Sequence, residues 1–421
     1  MTITDRKVKV AVVGAGAAGM TAAVYAAEYG ADVCVFERNP YAGKKLKITG
    51  KGRCNVTNNC TPEEALAAVR TNPKFLYGAL NRYTPSDVMK FFEDCKVPLK
   101  TERGRRVFPI SDKAADIRDA LCAKMEELGV TVKYNKRVAA VEDAGEKVWL
   151  TVSAASGEKD PEKYCFDAAV IATGGVSYPL TGSTGDGHRM LADIGVKVTK
   201  LKPSLVPVIT KENYFELAGL TLKNVRLSVR DKRGNSVYSE IGEMLFTHTG
   251  VSGPLVLSAS ANMQSDAPET YSLSVDLKPA LTAEELNRRV LADFSKYAAR
   301  DFINSLDDLL PKKLIPYVVK KSGIDGREKV SSVTREERLA LVTVLKSFDI
   351  GVKSFGAIDE AIITSGGVDV KEINPKTMAL KNHPRIFVAG EIIDVDAYTG
   401  GYNLQIAFST ARAAGEGAAC I

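Results

Sequence analysis

Apolar and polar positions along the chain fall into two textures. Val8-Lys-Val-Ala-Val-Val13 is a β-branched run with a single polar interruption, which predicts a strand buried in a parallel sheet. The alanine-rich stretch that follows predicts a helix stopped by Gly30, and Asp32-Val-Cys-Val-Phe36 predicts a second strand. Residues 61–95 read as helical in two stretches, and residues 112–128 as an amphipathic helix closed by Gly129. Strand patterns follow at 130–134, 137–141 and 147–152, and the run at 164–171 returns to the sheet. From about Thr199 the texture changes. Strand-like runs at 203–210, 225–229, 237–246 and 271–277 precede helical runs at 281–294, 306–319 and 336–348. A short strand at 385–389 and a helix over about 402–414 close the chain.

This order predicts an α/β fold: a Rossmann-like dinucleotide-binding domain (1–198 and 356–421) interrupted by a β-barrel-like domain (199–280 and 349–355) with a helical subdomain (281–348). At 421 residues the chain is long enough for two or three domains. With 45% hydrophobic and 26% charged residues, it falls outside the disordered and fibrous classes. No apolar run reaches about 18 residues, and Met1–Lys7 lead toward the first strand without a signal-peptide pattern, so a cytoplasmic protein with no membrane partner is expected. The net charge of +6 comes from interspersed residues, which favours small anionic ligands and argues against nucleic acid. Seven scattered cysteines and three histidines indicate neither a disulfide framework nor a metal site.

Chemistry enters at Gly14-Ala-Gly16-Ala17-Ala18-Gly19, which joins the first strand to the first helix. Gly14 permits the turn, Gly16 lets the backbone approach a pyrophosphate, and Gly19 allows close helix–strand packing. Glu37, 18 residues after Gly19, lies where a dinucleotide ribose is expected. The following loop, with Arg38, Lys45, Arg53, Cys54, Asn55 and Thr57, is too glycine-rich and polar for a helix and suits a long anionic ligand such as FAD.

The chain resembles the BaiN/YhiN-type FAD-binding oxidoreductases, a branch of the glutathione-reductase-like flavoproteins also described as aminoacetone oxidase family FAD-binding enzymes. The resemblance is carried by Gly14–Gly19, Gly43-Lys-Lys, Thr49–Asn58, Arg106-Val-Phe-Pro109, Ala172-Thr-Gly-Gly175 and Gly182–Gly187. It continues through Phe246–Pro254, Thr364–Val368 and Ala389–Gln405, in order and from end to end. It implies a flavin-linked redox enzyme and fixes the cofactor better than the substrate. It also places the Val138 backbone against the adenine, although an ordinary strand valine explains that residue equally well. Ala172, Thr173 and Gly174 are expected to pass close to the cofactor, as are Gly390, Glu391 and Asp394, with Asp394 toward the ribityl hydroxyls. After Gly401, the N–H groups of Asn403, Leu404 and Gln405 are placed to stabilise reduced flavin; a plain docking helix is the alternative. Asp186 is either a helix N-cap or a cofactor neighbour. No histidine precedes His188, so the FAD is expected to be non-covalent.

His248, inside Phe-Thr-His-Thr-Gly, is the candidate catalytic proton donor, with a structural histidine as the alternative. Arg106 and Phe108 are the candidate substrate-binding pair; Arg103, Arg105 and Arg106 either grip a carboxylate or form a solvated run. Cys54 and Cys60 lack the spacing of a disulfide reductase and read as packing residues. The expected activity is reduction of an activated C=C bond in a small organic molecule, such as a steroid-like acid. The molecule is expected to bind where the nucleotide and inserted domains join, with NAD(P)H as a transient donor because no second GxGxxG exists. The alternatives are an oxygen-dependent amine or aminoketone oxidase and a flavin-dependent RNA-modification component.

Overall fold

The computed structural model describes residues 7–157, 160–264 and 266–421; residues 1–6, read above as leading into the first strand, lie outside the described residues. The chain divides into two units, Met1–Ser204 with Ala361–Ile421, and Leu205–Glu360.

The first unit is built on a five-stranded sheet. Its strands run in the order Ile386–Val388, Ala168–Ile171, Lys9–Val13, Asp32–Phe36, Thr131–Lys133, and every pairing is parallel. Val12 sits between Val170 and Val35, all three fully buried, as the β-branched run requires of a strand covered on both faces. The nucleotide helix, Ala17–Glu28, packs on the C-terminal helix, Tyr402–Ala419. Small residues make that contact close. A β-carbon on Gly415 would lie 2.4 Å from the Ala22 carbonyl oxygen.

Local details depart from the sequence pattern for identifiable reasons. The helical stretch at 61–95 is cut into Pro62–Ala67, Pro73–Leu76, Tyr77–Arg82 and Pro85–Asp94, with prolines opening three of the pieces. The run at 164–171 is two strands, Glu162–Phe166 and Ala168–Ile171, in different sheets. Leu99–Glu102, Arg106–Pro109 and Thr57–Asn58 form a three-stranded sheet that the pattern did not announce, because its strands are short and polar.

The second unit holds a closed barrel in the order Val208–Thr210, Gly250–Ser252, Ser236–Phe246, Thr221–Arg230, Ser272–Asp276, Phe348–Phe355. The helices Ala283–Lys296 and Arg335–Lys346 share its core: Leu286, Val290, Leu341 and Leu345 pack in one cluster with Phe246 and Phe348. The helix expected over 306–319 is instead the turn Lys312–Leu314 and the helix Ile315–Ser322, because Pro311 interrupts the pattern and Pro316 suits the first turn of a new helix. The strand expected at 203–210 also splits. Lys202–Ser204 pairs with Ile363–Ser365 in the first unit, which moves the division there to Ser204/Leu205.

Gly415→Ala should destabilise the protein by about 1–3 kcal/mol, because the helix contact has no room for the added carbon. A lowered thermal midpoint with an unchanged circular dichroism spectrum is the expected result. An unchanged midpoint would refute this packing.

Candidate functional site

The site starts from the turn between the first strand and the nucleotide helix. A β-carbon on Gly14 would meet the Ala172 carbonyl oxygen at 2.7 Å, and one on Gly19 would meet the Gly14 carbonyl oxygen at 1.8 Å. These two glycines therefore serve the fold. Gly16 differs: a β-carbon there meets nothing within 4 Å. Gly16 is also the N-cap of the helix, with no side-chain cap and no acid in the first turn, so the N–H groups around Ala17 and Ala18 and the positive helix end stay available.

Glu37 is buried and holds this turn from behind. One of its carboxylate oxygens accepts the Ala15 N–H at 2.8 Å, and the other accepts the Asn39 N–H and side-chain amide. Next to it, Arg38 donates to Thr184 Oγ1 at 2.7 Å and to Asp186 at 3.3 Å. Asp186 is not a cap, since Gly185 takes that position. Its carboxylate also receives Arg137 Nε at 2.8 Å and the Arg189 guanidinium. Burial opposes its ionisation, but the three guanidiniums, Arg137 first, hold its pKa below the usual value. Val138 follows Arg137 in a strand that bulges between Val138 and Ala140.

Lys45 and Glu391 are brought together. The Lys45 ammonium donates to Glu391 at 2.7 Å and to Ser177 Oγ at 2.8 Å, and Glu391 also accepts from Ser177 Oγ and the Thr364 N–H. Burial would raise the Glu391 pKa, yet Lys45 and these donors bring it below the ordinary range. Gly390 packs on the nucleotide helix, where a β-carbon would meet that of Ala18 at 2.7 Å. Gly401, at φ +99°, is the uncapped start of the C-terminal helix, and a β-carbon there would strike the Thr57 carbonyl oxygen at 2.3 Å. The Gln405 side chain is spent on Thr57, Tyr83 and Ser409 and its backbone N–H on the Gly401 carbonyl, and the Asn403 side chain on Ala397, so of the three expected donors the backbone N–H groups of Asn403 and Leu404 are left for a ligand. Asp394 bonds Thr199, and its pKa is raised by burial and by the nearby Asp396 and Asp369. Ser177, Arg137 and Thr199 carried no signal of their own in the sequence, and Thr184 only its place within Gly182–Gly187; their contacts reveal them.

Arg53 is committed. It forks onto Glu102 at 2.9 and 3.1 Å, reaches Asp112 at 3.1 Å, and lies 4.0 Å over the buried Phe108 ring. Arg106 donates through Nε to the Arg103 carbonyl, with its guanidinium 5.9 Å from the same ring. Cys54 is fully buried and its thiol is pushed up to about 12 by burial. His248 belongs to the second unit, on the turn between Ser236–Phe246 and Gly250–Ser252, exposed and 5.0 Å from the Phe215 ring. Of the other histidines, His188 is buried with Nε2 at the Ile392 carbonyl, and both ring nitrogens of His383 are taken by Asp143 and the Ile194 carbonyl.

A long anionic dinucleotide fits the first unit. Two uncapped helix starts, the open space at Gly16, and the buried Thr173 Oγ1 and Asn55 Oδ1, which have no hydrogen-bond partner among the described residues, are the features such a ligand would satisfy. Around them, Ala172 donates its N–H to the Val13 carbonyl and Gly174 turns at φ +74°.

Comparison with known proteins agrees with this geometry. The profile of the HI0933-like protein Rossmann domain matches residues 8–417. A ribosomal RNA dihydrouridine synthase of Haemophilus influenzae is 30% identical over 405 residues, 96% of each chain. A 3-dehydro-bile acid delta(4,6)-reductase of Clostridium scindens is 28% identical over 416 residues, 98% of this chain and 99% of that one. Among solved structures, the open conformation of a flavocytochrome c3 fumarate reductase is similar in fold, with a TM-score of 0.52 and 17% identity over 99% of this chain and 78% of that one.

The glycines separate fold from ligand. Gly16→Val should leave the apoprotein's melting midpoint nearly unchanged while abolishing dinucleotide retention, because its side chain enters open space. Gly19→Ala should lower the midpoint sharply. A Gly16→Val protein that keeps its cofactor would refute the placement of the pyrophosphate.

Proposed function

The chain belongs to the HI0933-like family, and from that premise we propose that it is an FAD-dependent oxidoreductase that saturates a carbon–carbon double bond conjugated to a carbonyl, with NAD(P)H as electron donor. One observation carries the choice of reaction. Two relatives matched over nearly the whole chain are named for different substrates, a uridine in RNA and a bile acid, yet both names describe saturation of a double bond conjugated to a carbonyl.

Bound FAD would supply hydride transfer. The residues of this chain do the rest. The backbone N–H groups from Gly16 to Ala18 would hold the diphosphate, and Glu37 keeps their turn in shape through Ala15. The start of the C-terminal helix, uncapped and without a first-turn acid, would offer its positive end and the N–H groups of Asn403 and Leu404 to charge that develops on the ring. Lys45 and Glu391 neutralise each other and tie the loop after the second strand to the C-terminal segment. Saturating the double bond needs one proton besides the hydride. We assign it to His248, the one of the three histidines with an exposed ring. Arg106 is assigned to the substrate side, while Phe108, buried beneath Arg53, supports it from behind instead of meeting the substrate.

A second reading places the double bond in a uracil base of RNA. It is favoured by a stretch that whole-chain charge conceals: between Arg38 and Cys60 there are six cations and no acid. Arg38, Lys45 and Arg53 are paired to carboxylates, whereas Lys47 and Lys51 are exposed, and the Lys47 ammonium lies 5.4 Å over Tyr41.

The test is anaerobic. Flavin absorbance should bleach with NADH or NADPH and recover quickly with a 4-en-3-one steroid or, on the second reading, with a uridine-containing rRNA fragment. Reduction by an amine, with rapid peroxide formation once oxygen is admitted, would make the protein an oxidase and overturn both. His248→Ala should keep its flavin and slow recovery by about a hundredfold or more; unchanged recovery would return the histidine to a structural role.

A further inference from the structure

We propose that Asp186 is a positioning residue, setting Arg38 and Arg137 as the grip on the adenosine diphosphate half of the dinucleotide. This rests on the FAD reading above and adds to it the means by which the non-flavin end is recognised. One carboxylate meets three guanidiniums, those of Arg38, Arg137 and Arg189. A cluster that only stabilised the fold would be close to neutral, whereas this one carries two positive charges more than its acid balances. Glu37, beside Arg38, pairs with none of the three guanidiniums, its oxygens accepting from Ala15 and Asn39, and even with its charge counted one positive charge remains in excess.

Position gives the excess charge a meaning. Arg38 and Glu37 directly follow the second strand, where the adenosine ribose of a bound dinucleotide lies in this fold. Arg137 comes from the hairpin strand Lys136–Asp143, and Asp186 from the start of Asp186–Asp193, so three segments converge on one carboxylate. The Asp186 side chain is 12% exposed, while those of Arg38 and Arg137 are 34% and 40% exposed. The acid is therefore the buried anchor and the guanidiniums are its accessible faces. Arg137 meets Asp186 through Nε, which leaves its two terminal amino groups for a ligand. Guanidinium planes suit both an adenine face and diphosphate oxygens. The segment before Asp186 is packed for this purpose as well: a β-carbon on Gly182 would lie 2.7 Å from the Asn39 amide nitrogen and 3.5 Å from Arg38 Cδ.

The experiment uses the full-length chain as wild type, Asp186→Asn, Asp186→Glu and Arg137→Met. FAD affinity is read by flavin fluorescence, ADP by its competition with FAD, and stability by the apoprotein's melting midpoint. Asp186→Asn should weaken both FAD and ADP by about tenfold with little change in midpoint, and Asp186→Glu should restore much of the loss. Unchanged FAD affinity, or weaker FAD with unchanged ADP competition, would overturn the proposal. If Asp186→Asn does not fold, Arg137→Met gives the same comparison with the carboxylate still paired to two arginines. A wild-type chain that binds no FAD would instead bring down the underlying reading.

Discussion

Everything in the nucleotide-binding unit depends on how closely three pieces of backbone approach one another. Gly14 lies against Ala172, and Gly19 against Gly14, at separations that leave no space for a β-carbon. That approach sets the angle at which the first helix leaves the sheet, and so where its amino end points. It also joins the first strand to Ala168–Ile171, whose other edge carries Ile386–Val388 from the far end of the chain. One steric constraint thus aligns the turn, the central strands and the C-terminal segment.

Helix starts differ in how their free N–H groups are met. Pro62–Ala67, Pro85–Asp94, Ala283–Lys296 and Arg335–Lys346 each begin with a threonine whose hydroxyl and third-position acid satisfy the free N–H groups reciprocally. In the nucleotide-binding unit, Gly16, Gly185 and Gly401 begin helices with no side-chain cap at all. A missing cap leaves about 1 kcal/mol of stabilisation unclaimed at each end. Tyr77–Arg82, Ala114–Glu127, Pro254–Ser260 and Ile315–Ser322 also start without a side-chain cap, so a bare end alone does not mark a ligand; what sets Gly16 apart is the open space in front of it.

Much of this could be read from the residues. The β-branched first strand, the glycine spacing and the paired glycines at 400–401 constrain the backbone wherever they occur, so the Rossmann core followed directly. Pairings between distant side chains did not. No local pattern says that Lys45 meets Glu391, that Arg53 is spent on Glu102, or that Arg137 shares a carboxylate with Arg38. The three-stranded sheet around Arg106–Pro109 was also hidden, because strands of two to four residues with polar faces have no readable period. Averaging charge over 421 residues similarly concealed the acid-free stretch between Arg38 and Cys60.

The discontinuity of the first unit has a consequence for how the protein is made. Residues 205–360 intervene between its two parts, and at about 5–20 residues per second a ribosome needs roughly 10–30 s to traverse them. During that interval the strand Ala168–Ile171 lacks its outer neighbour, and the small-residue face of the nucleotide helix lacks its cover. The barrel, whose strands are contiguous but for its last, can close before the older unit is finished. Birth order and completion order are therefore reversed: the earlier part of this unit emerges before the barrel but is sealed after it, by a helix translated later than the whole of the barrel.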